Sequence, residues 1–257
     1  MWALEWEDQV LVVDAGLMFP QEEMLGVDLV LPDPTWLLDP SRQVLAVVLT
    51  HGHEDHIGGL PFLLKRSNVP VFGTPLTLGL AKPRLRENRF LREADLRTVS
   101  VGDAVRLGPF RVEWIRVSHT IPDSAALAIE TPVGRVVYTS DFKLDQGPPA
   151  GQPTDTARLR ELGELGVLLL LSDSTNAERE GRSGSERDLE AEFGRIFDRA
   201  PGRIVVATFA STSTGSSLWC AWRPPTVVAW RSPAGACATP SRRRASSATS
   251  RSPRTSW

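Results

Sequence analysis

Apolar and polar positions in the first 210 residues fall into short blocks, mostly of strand length, separated by turn-forming residues. Leu4 to Val13 alternates and then becomes solidly apolar, which predicts one strand ending at Asp14-Ala15-Gly16. Phe19 to Asp33 reads as a proline-bearing loop. Val44 to Leu49, β-branched and apolar, predicts a buried strand that stops at Thr50. Ile57 to Lys65 predicts a helix, Val69 to Gly73 a short strand, and Thr74-Pro75 the start of another helix. Thr98–Val101, Val105–Leu107 and Arg111–Val117 alternate as antiparallel strands do, with Gly102-Asp103 and Gly108-Pro109 as turns. Ala125–Thr131 and Arg135–Thr139 predict a hairpin about Pro132-Val133-Gly134, and Val167–Leu171 a further buried strand. Ser185-Glu186-Arg187-Asp188 reads as a capping box for a helix with Leu189, Phe193, Ile196 and Phe197 on one face. Arg203–Thr208 predicts one more strand, leading to Phe209-Ala210.

Chemistry-bearing residues collect where these strands end. Three of the four histidines, His51, His53 and His56, follow the Val44–Leu49 strand, with Asp55 among them and glycines at 52, 58 and 59. Such loops are where α/β folds place ligands. His51 and His53, two apart, point to one side of an extended segment and can hold one metal. Asp55 and His56, where the chain must bend, can face a second. Imidazole with carboxylate suits zinc, manganese or iron and excludes a soft thiolate site. Four potential ligands in six residues are costly to place together unless something binds them. Strands ending at Ser118-His119-Thr120 and at Ser140-Asp141 supply further ligands. Asp14, at another strand end, reads either as a simple turn former or as a carboxylate orienting the ligand histidines.

Composition changes the picture mainly at the C-terminus. With 41% apolar and 23% charged residues the chain is ordinary for a globular protein. It has no signal-peptide pattern at its N-terminus and no apolar run near the ~20 residues of a membrane span, so a cytoplasmic protein is expected. From Ser211 onward there is no Asp, Glu, Lys, His, Ile or Phe, while both cysteines (Cys220 and Cys237) and four of the eight tryptophans lie there. This tail holds seven of the 29 basic residues and none of the 31 acidic ones, so residues 1–210 carry a net −9 and the tail +7. Tryptophan argues against a disordered tail; an Arg/Ser/Pro/Ala/Trp bias is what a GC-rich gene gives when read out of frame. Between Lys82 and Arg97 six basic side chains are interspersed with Glu87, Glu93 and Asp95. They read as a solvated helix face rather than as a contact for an anionic substrate.

The His51-Gly-His-Glu-Asp-His56 loop followed by Ile-Gly-Gly, with Ser118-His119-Thr120 and Ser140-Asp141 downstream, resembles the metallo-β-lactamase superfamily. Val13–Pro20, Ser118–Ser124, Tyr138–Lys143 and Asp173–Asn176 are similar to its ribonuclease J family, an RNA-processing branch with an inserted β-CASP domain. The resemblance covers residues 8 to 210. It implies an α/β fold: an incomplete αββα sandwich over residues 1–171, the start of a β-CASP domain over 172–210, and an aberrant tail over 211–257. It also implies two divalent metal ions, zinc first and manganese second. His51, His53 and His119 would hold one ion, Asp55 and His56 the other, and Asp141 would bridge them. Asp14 would be the family's structural carboxylate behind the ligands. Asp55 and Asp173 would be the catalytic carboxylates, Asp173 opening the β-CASP motifs.

The function so implied is hydrolysis of RNA phosphodiesters, exo- or endonucleolytic, in RNA processing and decay. RNA is the expected partner, no membrane is expected, and a homodimer or homotetramer is open for a full-length parent. The family pattern also calls for a strand before Met1 and for histidines after residue 210, and the sequence has neither. Two other readings stand beside this one. A small-molecule hydrolase of the same fold, acting on thioesters or lactams, would use the same first motifs, though it has no need of Asp173–Asn176 and its capped helix. An inactive fragment is the third.

Overall fold

The computed structural model describes residues 1–148, 151–181 and 183–202. The expected strand at Arg203–Thr208 and the tail lie outside the described residues. Two five-stranded sheets face each other. In the first, β1 (Trp2–Trp6) pairs antiparallel with β2 (Gln9–Val13). β3 (Gln43–Val48), β4 (Val71–Gly73) and β5 (Leu96–Thr98) then follow in parallel. In the second, β6 (Ala104–Leu107), β7 (Phe110–Arg116), β8 (Ala125–Thr131) and β9 (Gly134–Tyr138) form an antiparallel meander. β10 (Leu169–Leu171) joins β9 in parallel at the edge.

Strand alternation sorts the core into layers, because successive side chains point to opposite faces. Leu11, Val13, Ala46 and Val48 pack between the sheets against Phe110, Val112, Trp114, Ala125 and Leu127. Their neighbours Val10, Val12, Val47 and Leu49 turn outward. There they meet Leu60, Leu63 and Leu64 of α2 (Leu60–Leu64) and Leu78, Ala81 and Leu85 of α3 (Pro75–Glu87). On the far side Ile115, Val117, Ala126, Ala128 and Val137 pack on Leu162 of α4 (Thr156–Glu164). The result is the expected αββα sandwich. Among the described residues no helix is long and apolar enough to cross a membrane.

Several elements differ from the pattern-based expectation. Leu4 to Val13 is two strands, not one: Trp6 pairs with Gln9 around a turn at Glu7-Asp8, with Glu7 at φ 56°. The helix expected over Ile57–Lys65 is split into α1 (Glu54–Ile57) and α2 by Gly58-Gly59. The Gly59 N–H donates to Ala15 O, and a Cβ there would strike the Gly16 carbonyl. Close passage of the β2 exit, not helix propensity, sets this break. Of the basic stretch Lys82–Arg97 only the part to Glu87 is helical; Asn88 caps α3 and Arg89 turns at φ 57°. The strand expected at Thr98–Val101 lies instead at Leu96–Thr98 and belongs to the other sheet, parallel to β4. The strand over Val167–Leu171 is expected to be buried, yet in β10 Leu169 is 46% and Leu170 59% exposed, because among the described residues β10 lies at the sheet edge. The capping box is seen in modified form ahead of α5 (Asp188–Arg199). Asp188 accepts from the Ser185 N–H, and Ser185 Oγ accepts from the Arg187 N–H.

Candidate metal centre

Four strands deliver their C-terminal ends to one place, β2 leading to Asp14, β3 to the histidine loop, β7 to His119 and β9 to Asp141. The Asp14 N–H donates to Val48 O, the Ala125 N–H to Thr50 O, and the Trp114 indole N–H to Leu49 O, so both sheets are tied where the histidine loop begins. The segment after β2 then clamps that loop by its backbone. The Ala15 N–H donates to His56 O and the Leu17 N–H to Glu54 O. Gly16 lies so close to the Asp55 carbonyl that a Cβ would overlap it. Asp14 and Ser140 take left-handed backbone, at φ 54° and 52°. Non-glycine residues in that region are held there by their surroundings, and such strain clusters at functional sites.

The four histidines and two of the aspartates converge. His53 Nδ1 lies 3.0 Å from His51 Nε2 and 3.1 Å from His119 Nε2. Asp141 Oδ2 is 3.6 Å from His119 Nε2 and 3.9 Å from His51 Nε2. The other Asp141 oxygen is 3.6 Å from His56 Nε2, which is 3.8 Å from Asp55 Oδ2. Ligand atoms within each of two sets, His51/His53/His119/Asp141 and Asp55/His56/Asp141, lie within 4.8 Å of one another. Bonds of ~2.0–2.1 Å in a tetrahedral zinc site place neighbouring ligand nitrogens ~3.3 Å apart, close to the spacing found. Lone pairs aimed at a common point repel unless a cation sits between them, so the donor set fits a divalent metal in both chemistry and spacing.

Hydrogen bonds behind the ligands fix which nitrogen faces the centre. Asp14 Oδ2 lies 2.8 Å from His56 Nδ1, and Asp14 Oδ1 accepts from the Thr50 N–H at 2.9 Å. His51 Nδ1 has Thr50 Oγ1 at 3.1 Å and Ser140 Oγ at 3.3 Å; His53 Nε2 has Thr120 Oγ1 at 3.2 Å. Sequence reasoning assigned no role to Thr50, Thr120 or Ser140. Their signal was adjacency: each is next in the chain to a ligand. Asp173 stands outside both sets. Its N–H donates to Thr139 Oγ1 and its Oδ1 accepts from the Thr175 N–H, while its charge bears on His119 from a distance.

Electrostatics divide the histidines. Burial holds His51 well below the usual imidazole value, with repulsion from His56, His119 and His53 adding to it. Burial takes His53 down to about 4 and lowers His119 as well. His56 goes the other way, to about 10. Burial opposes its charge, but the bonds to Asp14 and Asp141 outweigh it. The His56 bond in turn holds Asp141 below the usual carboxylate range.

Residues 1–205 match the family described as the metallo-beta-lactamase superfamily. Among curated relatives, Ribonuclease J of Thermus thermophilus is 46% identical over 80% of this chain and 37% of its own length. Ribonuclease J of Synechocystis is 46% identical over 81% of this chain and 33% of its own. Ribonuclease J2 of Bacillus subtilis is 40% identical over 82% and 38%. The chain thus spans about a third of the length of these relatives. In fold it is similar to a crystal structure from Enterococcus faecalis, described as a protein of unknown function, with a TM-score of 0.59 at 21% identity over 84% of this chain and 58% of that one. The fold, the converging histidines and the match over residues 1–205 agree: the chain belongs to the metallo-β-lactamase superfamily.

Proposed function

We propose that this chain is the front portion of a metal-dependent ribonuclease. The observation that carries the reading is the pairing of two convergent ligand sets on Asp141 with 46% identity to proteins named Ribonuclease J. In this reading His51, His53, His119 and Asp141 hold one divalent ion, Asp55, His56 and Asp141 the other, and Asp14 braces His56 from behind. Paired ions in such a site supply Lewis acidity toward a phosphodiester and make water a competent nucleophile near neutral pH. The protein's share is placement. The β2 exit fixes the loop backbone, buried hydroxyls and Asp14 fix ring orientation, and burial keeps three imidazoles neutral and ready to donate a lone pair. Imidazole-rich sites favour zinc, with manganese second. Asp55, the most exposed of the ligand carboxylates, also faces where substrate would arrive.

Residues 1–171 form the lactamase-type domain in this proposal, and 172–210 open a β-CASP domain that carries Asp173. The test is a frame-restored, full-length parent assayed on 5′-monophosphorylated RNA. RNA turnover is expected, and H53A or D55N should reduce it to background while circular dichroism stays unchanged. A parent that hydrolyses thioesters and leaves RNA intact defeats the reading.

A further inference from the structure

Thr50 is fully buried at the end of β3, and its side-chain oxygen lies within hydrogen-bonding distance of one histidine from each ligand set. Oγ1 lies 3.1 and 3.0 Å from the two Asp14 oxygens, 3.1 Å from His51 Nδ1, 2.9 Å from Ser140 Oγ and 3.4 Å from His56 Nδ1. A hydroxyl has one hydrogen to give and two lone pairs to receive. Ser140 Oγ donates to Thr50, and the Thr50 hydroxyl donates to the Asp14 carboxylate. With both hydroxyl hydrogens committed, His51 Nδ1 is itself the donor toward Thr50 Oγ1, the nearer oxygen, and Ser140 Oγ. The lone pair of His51 is thereby left on Nε2, the atom that faces His53 and Asp141. On the other side the same Asp14 accepts from His56 Nδ1 and leaves His56 Nε2 facing Asp55 and Asp141. Thr50, Asp14 and Ser140 are all at most 2% exposed, so water offers no substitute partners.

We propose that the Thr50 hydroxyl is a positioning group shared by both metal positions, so that a change behind His56 is felt at the His51/His53/His119 ion. The two sets also meet at Asp141, on the open side of the centre, and where the His51 and His56 rings lie 4.0 Å apart, centre to centre, but neither of those contacts involves Asp14. Thr50 ties them from the buried side, one bond from His51 and, through Asp14, two bonds from His56. The proposal rests on the metal-centre reading above and adds that the two positions do not bind independently.

Cobalt(II) titration of the 257-residue chain, followed by its visible bands and by metal analysis, tests this. T50V keeps the shape and loses the hydroxyl, and it should weaken the tightest step about 10–100-fold, the usual cost of removing a group behind a ligand. T50S should restore it. D14N touches no ligand of the tight position, yet it should weaken that step in the unsubstituted background and have little effect in the T50V background. Metal-free T50V should also lose the slowly exchanging His51 ring N–H resonance. Melting of the metal-free variants checks folding, and if T50V does not fold, the D14N effect alone decides. A tight step unchanged in D14N, or equal D14N effects with and without the hydroxyl, overturns the coupling while leaving the metal centre intact. A chain that takes up no cobalt at all overturns the metal reading, and the coupling with it.

Discussion

Among the described residues His56 differs from the other three histidines in having a carboxylate near each ring nitrogen, Asp14 at 2.8 Å and Asp141 at 3.6 Å. In the metal-free chain His53, held to about 4, binds a proton more weakly than in the unfolded chain, whose value is 6.5. It therefore makes stability rise with pH between about 4 and 6.5, and His51 and His119 act in the same direction. His56, raised to about 10, acts oppositely: its contribution is complete below 6.5 and is lost as pH rises through about 10. Thermal melts of the metal-free chain should show an acid limb and an alkaline limb, with H56Q removing the alkaline one and, because it lifts the repulsion on His51, His53 and His119, also reducing the acid one. The same division predicts which metal position fills first. Three neutral imidazoles and Asp141 are ready for an ion, whereas the second position must displace the His56 proton. Metal analysis should find about one tightly held ion per chain, and calorimetry across buffers should show a proton released only with the weaker step. Two ions held with equal tightness contradict this.

At the scale of elements, the break between α1 and α2 and the tight exit of β2 act as one device. Gly16 and Gly59 let the β2 exit run against the histidine loop, where three backbone bonds from Ala15, Leu17 and Gly59 fix the Asp55-His56 end. G16A should lose stability by about 1–3 kcal/mol through overpacking against the Asp55 carbonyl, read as a shifted denaturant midpoint. Because the displaced backbone carries Asp55 and His56, it should also weaken the second metal position more than the first. If G16A unfolds at the midpoint of the unsubstituted chain, the close approach has been overstated. Trp114 makes the complementary tie, bridging the sheets through its bond to Leu49 O, 3.0 Å away. W114F should cost about 1–3 kcal/mol, because the buried carbonyl is left without that donor.

For the whole molecule, the relevant measure is the share of its relatives that the chain spans, about a third for Ribonuclease J of Thermus thermophilus and of Synechocystis. Among the described residues the second ligand set has three donors, and its share of Asp141 also serves the first. A complete second position therefore calls for a further donor, and no histidine follows His119 in the sequence. On the proposed reading, this chain should turn over RNA more slowly than a frame-restored parent, by about 10–100-fold, the usual cost of weakened support at an ion position. Sequencing the gene across codon 211 should reveal a second frame that continues the family match with new histidines. Equal RNA turnover by the two proteins, or a gene with no such frame, shows that the enzyme has been delimited wrongly.

The linear order of residues already determined the assignment of strand side chains to layers and the candidate ligand set, because both depend on short-range pattern. Alternation in Val10–Val13 and Val44–Leu49 assigns side chains to faces whatever the rest of the chain does. His51, His53, Asp55 and His56 are neighbours by sequence, and His119 and Asp141 stand at strand ends in the same way. Other features were decided only by contacts between distant segments. The split at Gly58-Gly59 depends on the passage of Gly16, and the sheet that receives Leu96–Thr98 on its pairing with β4. Among the described residues, exposure of β10 depends on its place at a sheet edge. The hydroxyl of Thr50 gained its place for the same reason. A threonine before a histidine is unremarkable in one dimension, and only the folded sheets bring Asp14, 36 residues away, and Ser140, 90 residues away, to the same oxygen.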